Sequence, residues 1–262
     1  MQERHKNRKI YFEEQGLTTS QYVIPYVESV LPINDSVRVL EIGCGEGGNL
    51  MPFIERGCEV VGIDLNEAQI DRARAYIKET IPASKATLIY DDIYNIDPTK
   101  LGAFDLIFMR DVIEHIHNQE KFMPFLLNFI KPNGKIFFGF PPWRMPFGGH
   151  QQICRSGLLS KLPFFHLLPM PLYKWVLKSF GEPDKTIGDL IEIKDTGISI
   201  NRFEKIVAES GYAFDKKDLY FINPNYKIKF GLTPRKLSVL VKSIPFVRDF
   251  FTTCYYCIIH QK

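Results

Sequence analysis

VLEIGCGEGG, Val39 to Gly48, decides the fold. Its first half is short, apolar and β-branched, as a strand buried on both faces should be. Its second half sets Gly43, Gly45 and Gly48 ahead of a helical segment, where glycines let the backbone approach a ligand and leave amides at a helix amino terminus available to it. Asp64 follows nineteen residues after Gly45, at the end of the next strand-like run, where a carboxylate can accept both hydroxyls of a ribose. Glycines serving only a tight turn would not need that acid. The spacing alone leaves two ligands open, a nicotinamide dinucleotide or another adenosine-containing cofactor.

Working outward, SVRVLEIG (36–43), CEVVGID (58–64), ATLIYDD (86–92), FDLIFMR (104–110) and GKIFFGF (134–140) alternate with helical segments. The clearest helix is NEAQIDRARAYIKETI, with Asn66 and Gln69 as a capping pair and Ile70, Ala73, Ile77 and Ile81 on one face. Gly57 closes the helix after the first strand, and Pro132-Asn133-Gly134 turns the chain into the fifth. Repeated βα units of this kind predict a parallel sheet with helices on both faces. The rhythm breaks at Pro141, and up to about Ser199 the chain shows only proline-punctuated apolar segments. NRFEKIVAESGY then reads as a helix ending at Gly211; FDKKDLYFINP and FFTTCYYCIIHQK read as strands without a crossover helix of clear βα type between them. The expectation is an α/β, doubly wound, mostly parallel seven-stranded sheet that ends in an antiparallel pair and carries a helical cap insert. Residues 1–140 would form amino-terminal helices and the cofactor-binding half, 141–199 the cap and acceptor-binding region, and 200–262 the last helix and strands, with part of 224–248 as a smaller elaboration.

The 262 residues are 24% charged and 45% apolar, ordinary for a globular chain, while aromatics at 13% are somewhat enriched. A net charge of +3 is too mild for nucleic acid, whose binders concentrate Lys and Arg far more strongly. The amino terminus MQERHKNRK lacks the apolar core of a secretory signal, and no run of about 18 apolar residues occurs. A soluble, cytoplasmic protein is expected. Five cysteines, at 44, 58, 154, 254 and 257, do not suggest a disulfide framework, and Cys254 and Cys257 sit on a strand-like run where residues three apart face opposite ways.

VLEIGCGEGG, VVGIDLN, YDDIYNI, FDLIFMRDVIEHI and FIKPNGKIFFGFP, in that order from Ser36 to Pro141, resemble the motifs of class I S-adenosylmethionine-dependent methyltransferases, especially the small-molecule group that includes the quinone-biosynthesis enzymes. The resemblance implies S-adenosylmethionine as cofactor and a fold of the Rossmann-like type. It implies that Glu41, Gly43, Cys44 and Gly45 flank the methionine part, Asp64 binds the ribose and Leu65 packs on the adenine. Asp92 would meet the adenine amino group with Ile93 beside it, and Arg110 would lie along the cofactor. The residues agree, since Glu41, Asp64, Asp91 and Asp92 would attract a sulfonium and repel a pyrophosphate. An NAD(P)-linked oxidoreductase and a catalytically silent cofactor-binding protein are the alternatives from other classes.

Asp111, Glu114 and His115 would share one face if a helix began there, an arrangement that places His115 near the methyl group or suits a divalent cation. The resemblance points to the metal site of some quinone O-methyltransferases, yet relatives carry the same pair without metal, and no metal is assigned. In PPWRMPFGGHQQICR (141–155), His150 is the candidate base, with Gly148 and Gly149 letting its loop reach the cofactor. Trp143 and Arg144 there, with Tyr11 and Tyr22 from the amino terminus, are candidates for holding the acceptor. That acceptor is expected to be a small apolar or aromatic molecule methylated at oxygen, with a glycan, nitrogen or carbon as alternatives. The apolar set of the insert, with Lys161, Lys174 and Lys178, is either the cap's own core or a surface for peripheral membrane contact.

Overall fold

The computed structural model describes residues 7–81 and 85–262; the first six residues of the charged amino terminus lie outside the described residues. The helix α1 (Arg8–Thr18), a π turn at Thr19–Val23 and α2 (Ile24–Glu28) precede the sheet. Five βα-type strands follow: β1 (Arg38–Ile42), α3 (Met51–Glu55), β2 (Glu59–Asp64), α4 (Glu67–Thr80), β3 (Ala86–Tyr90), α5 (Pro98–Leu101), β4 (Phe104–Arg110), α6 (Gln119–Phe125) and β5 (Ile130–Phe140). The second half runs α7 (Met170–Ser179), α8 (Asp184–Thr196), α9 (Ile200–Glu209), β6 (Tyr212–Ile222), α10 (Asn225–Phe230), β7 (Arg235–Lys236), α11 (Val239–Lys242), α12 (Val247–Phe251) and β8 (Cys254–Gln261).

The sheet order is β3-β2-β1-β4-β5-β8-β6-β7. The first five strands pair in parallel, and β8 pairs antiparallel with both β5 and β6. The sheet therefore has eight strands where the sequence pattern gave seven. The added one, β7, is a two-residue edge segment laid on Tyr220 and Ile222, too short to leave a pattern. Strand order reverses between β1 and β4, and a doubly wound sheet binds its ligand in the crevice at the carboxyl ends of such strands.

Alternation along the strands divides the core into two layers. Leu40 and Ile42 pack into one with Phe138 and Cys257, while Val39 packs into the other with Phe137 and Cys254. The CxxC cysteines thus face opposite layers, and all five cysteines are buried and free. Helix α4 is capped by the Asn66 side chain accepting the Gln69 N–H, and buries Ile70, Ala73 and Ile77. The Pro132–Gly134 turn lies inside β5, where the pairing jumps from Phe104 with Ile130 to Leu106 with Lys135.

Residues 141–199 contain α7, α8 and several short turns, with an apolar centre of their own around Cys154, Leu159, Phe165, Tyr173 and Leu190. Much of the aromatic excess seen in the sequence is spent there and in the two layers of the sheet. Trp175 stands apart from it, 65% exposed.

Candidate active site

The turn after β1 is shaped by glycines in positive-φ backbone: Gly43 at 72°, Gly45 at 54° and Gly47 at 79°. Such angles disfavour a Cβ. Gly48, singled out by spacing, serves differently, because a Cβ there would collide with the Phe12 carbonyl oxygen and crowd Gln15. Its lack of a side chain lets α1 lie against the turn. Cys44 points inward, its sulfur packed where a Cβ on Gly62 would sit, so only its backbone faces the turn.

Asp64 closes the turn from the end of β2. One of its carboxylate oxygens accepts the Gly45 N–H at 2.7 Å and the other accepts the Asn66 N–H at 2.8 Å. Next to it Leu65 is 69% exposed, an apolar side chain left open beside a carboxylate. Asp91 accepts the Asp92 N–H, and Asp92 in turn caps the short turn Ile93–Asn95 by accepting the Tyr94 N–H. Ile93 is buried in the first core layer.

Glu41 on β1 is fully buried. Its Oε1 accepts from the Asn49 amide at 2.8 Å, and Asn49 Oδ1 accepts from Arg110 at 3.0 Å and from the Thr19 hydroxyl at 2.9 Å. Glu41 Oε2 has no partner among the described residues. Burial pushes the Glu41 carboxyl up to about 8, with Asp64 adding to the rise and Asn49 and Arg110 opposing it. Arg110, at the end of β4, also stands 3.8 Å from Asp111. Asn49 and Thr19 were not singled out in the sequence, where nothing distinguishes one Asn after a glycine turn from another.

Asp111 does not share a face with Glu114 and His115. It takes a left-handed φ of 56° and turns toward Arg110, and the chain then makes only a 3-10 turn at Ile113–His115. The expected helical face never forms, and His150 occupies the third place. Glu114, His115 and His150 each bring one ligand-type atom within 4.8 Å of the others. The two imidazoles meet edge to face with centroids 4.9 Å apart. Both carboxylate oxygens of Glu114 are buried without a partner among the described residues. Burial, with Asp111 adding, raises this carboxyl well above the usual range. His150 is half-buried, and burial with the nearby His115 and His166 lowers its imidazole to about 4. It is a neutral base at physiological pH.

Gly148 and Gly149 do not loosen the His150 loop. A Cβ on Gly148 would strike the carbonyls of Pro142 and Trp143, and one on Gly149 the His166 ring. His150, at φ 53°, is held by packing. Trp143 lies edge-on to His166 with centroids 4.6 Å apart, and its carbonyl accepts from His166 Nε2 at 2.7 Å. Arg144 is drawn away to a buried ion pair with Asp249 at 3.1 Å and lies over the Phe246 ring. Tyr11, on α1, is placed close enough to Asp111 and Arg110 to feel both charges. Tyr22 is half-buried in the π turn Thr19–Val23.

The geometry thus gathers two sub-sites along the carboxyl ends of β1, β2, β4 and β5. One holds the glycine turn, Glu41, Asp64 and Leu65; the other holds Glu114, His115 and His150. A family model described as a methyltransferase domain matches residues 17–150. A ubiquinone biosynthesis O-methyltransferase of Rickettsia typhi is 30% identical over 234 residues, which are 86% of this chain and 85% of that protein. The corresponding enzyme of Rickettsia canadensis is 32% identical over 114 residues, and there the match spans 47% of the relative, about half its length. Among solved structures, the plantazolicin methyltransferase in complex with a triazolic desmethyl analogue and S-adenosylhomocysteine superimposes with a TM-score of 0.56 at 15% identity, over 99% of this chain and 88% of that one. The magnesium protoporphyrin IX methyltransferase of Synechocystis with bound S-adenosylhomocysteine gives 0.54 at 15% identity, over 94% and 84%. At these identities the likeness is one of fold.

Proposed function

The chain belongs to the class I S-adenosylmethionine-dependent methyltransferases, and on that premise we propose that it methylates a hydroxyl of a small apolar or aromatic acceptor, with His150 as the base. The residues present fit the cofactor. The glycine turn offers a backbone face without side chains, Asp64 is fixed by two backbone amides, Leu65 is exposed beside it, and Glu41 keeps one buried oxygen unpartnered. Asp64 would hold the ribose, Leu65 and Ile93 the adenine side, and Glu41 with Gly43 to Gly45 the methionine end. When bound, S-adenosylmethionine supplies a methyl carbon on a sulfonium, which departs as a thioether.

What this chain must add is alignment, exclusion of water and acceptance of a proton. With the cofactor bound, the acceptor oxygen would take the methyl carbon as the thioether leaves, and the hydroxyl proton would pass to an imidazole nitrogen of His150. The observation that carries this reading is the contact of half-buried His150 with exposed His115, which offers the proton a route from the acceptor to solvent. The name of the Rickettsia relatives supports transfer to oxygen.

The test is incubation with methyl-labelled S-adenosylmethionine and separate organic-soluble and aqueous extract fractions, followed by mass identification of the product. An O-methylated, organic-soluble product is expected. Label confined to nitrogen, carbon or a glycan would overturn the proposal while leaving the family membership intact. Chelator treatment is expected to leave the rate unchanged; loss restored by a divalent cation would assign Glu114, His115 and His150 to an ion instead.

A further inference from the structure

The seam between the 141–199 insert and the carboxyl-terminal elaboration leaves large apolar side chains in the open. Val239 and Leu240 on α11 are each 81% exposed, while Val241 on the same turn packs against the core. Ile244 and Phe246 extend this surface from the neighbouring loop, at 49% and 52% exposed. Phe164, from the insert, is 39% exposed. The rings of Phe164 and Phe246 both approach Phe250, at 6.0 and 5.4 Å between centroids, so insert and elaboration present one continuous patch. Phe164 and Phe246 also hold φ angles of 61° and 71°. Left-handed backbone at a bulky residue costs about 1–3 kcal/mol, and it persists where the surroundings impose it. Here the strained residues are two aromatics left substantially exposed.

The charge along the elaboration that carries most of the patch is one-sided. Residues 224–251 carry Lys227, Lys229, Arg235, Lys236, Lys242 and Arg248 against one acid, Asp249, which is buried against Arg144. Lys236 and Arg248 pair with Asp218 and Glu204. Among the described residues no acid lies within ion-pair distance of Lys227, Arg235 or Lys242. Exposed aliphatic and aromatic side chains among cations match the boundary between acyl chains and anionic head groups. A second copy would set like charges together, and nucleic acid would give Val239 and Leu240 nothing to bury against.

We propose that this seam docks on an anionic lipid bilayer, with Val239, Leu240, Phe164 and Phe246 entering the interface and the flanking Lys and Arg meeting lipid phosphates. This places the contact on the elaboration and Phe164, and it does not call on Lys161, Lys174 or Lys178. It does not depend on which acceptor is methylated.

The test is co-sedimentation of the full chain with phosphatidylcholine vesicles containing one-third phosphatidylglycerol, at low and high salt. Binding is expected at low salt, weakening with salt and absent from pure phosphatidylcholine. V239E/L240E and R235E/K242E should each reduce the bound fraction at least about tenfold, with S-adenosylhomocysteine affinity and circular dichroism unchanged. Trp175→Ser, on the insert but off the seam, should bind like the wild type. Absence of binding at low salt, or binding by both double variants equal to that of the wild type, would overturn the proposal. A dimer in solution that V239E/L240E dissociates, without vesicle binding, would overturn it too and make the patch a self-association surface.

Discussion

His115 and His150 lie edge to face with ring centroids 4.9 Å apart, although one follows β4 and the other follows β5. Parallel pairing of those strands brings both departures to the same end of the sheet. On the proposed reading the contact joins the base to its exit to solvent, and His150 holds it from left-handed backbone.

His150→Ala should lower kcat by about 10²–10⁴-fold, the range for loss of a general base, with S-adenosylhomocysteine affinity unchanged. Because His150 sits near 4, the acid limb of the kcat/KM profile should fall near 4 and not near the 6.5 of a free imidazole. Steady-state kinetics from pH 4 to 9 checks both. A His115→Asn variant should retain more activity than His150→Ala, since His115 only relays the proton.

Glu41 should make cofactor affinity depend on pH. Its carboxyl titrates near 8, so at neutral pH it is mostly protonated, and a sulfonium placed beside it favours the anion. Binding of S-adenosylmethionine should then release a proton and tighten as pH rises from 7 to 9. S-adenosylhomocysteine, lacking the positive charge, should show a weaker trend, and Glu41→Gln should abolish the difference. Calorimetry in buffers of unlike ionisation enthalpy measures the proton released.

His166 should destabilise the fold in acid. Its Nε2 donates to the Trp143 carbonyl, its Nδ1 is buried without a partner among the described residues, and Lys194 donates to its own carbonyl at 2.6 Å. Burial lowers this imidazole to about 4, so the unfolded chain binds the proton first as pH falls. The stability present above pH 6.5 is therefore lost between 6.5 and about 4, by at most about 3 kcal/mol. Urea midpoints at pH 7 and pH 5 should differ less in His166→Gln than in the wild type.

Gly48→Ala should cost about 1–3 kcal/mol by overpacking, because the new methyl meets the Phe12 carbonyl and α1 must move. Thermal unfolding measures the loss. Cofactor affinity should fall as well, since α1 carries Tyr11 toward Arg110 and Asp111.

Much of the cofactor half was legible because its signals are local. A glycine run after an apolar strand, an acid at the end of the next strand and a capped amphipathic helix each express a constraint within a few residues, and the parallel pairing of the first five strands followed from βα repetition. The insert was less legible, since α7 and α8 pack on each other and on short turns whose pattern is neither period 2 nor period 3.6. Asn49 and Thr19 could not be found, because their meaning lies in a network, Thr19 to Asn49 and Asn49 to Glu41 and Arg110, that forms only when β1, β4 and the π turn meet.

By itself the sequence determined a doubly wound sheet with a nucleoside-type cofactor site, because strand burial, turn geometry and the ribose carboxylate are short-range requirements. Only the tertiary structure decided the composition of the corner proposed as catalytic. It turned Asp111 outward and brought His150 against Glu114 and His115, since which side chains meet at the end of a sheet is set by strand pairing and loop packing. It also committed Arg144 to Asp249, because a buried carboxylate needs a cation and the elaboration at 247–251 delivers one to the other.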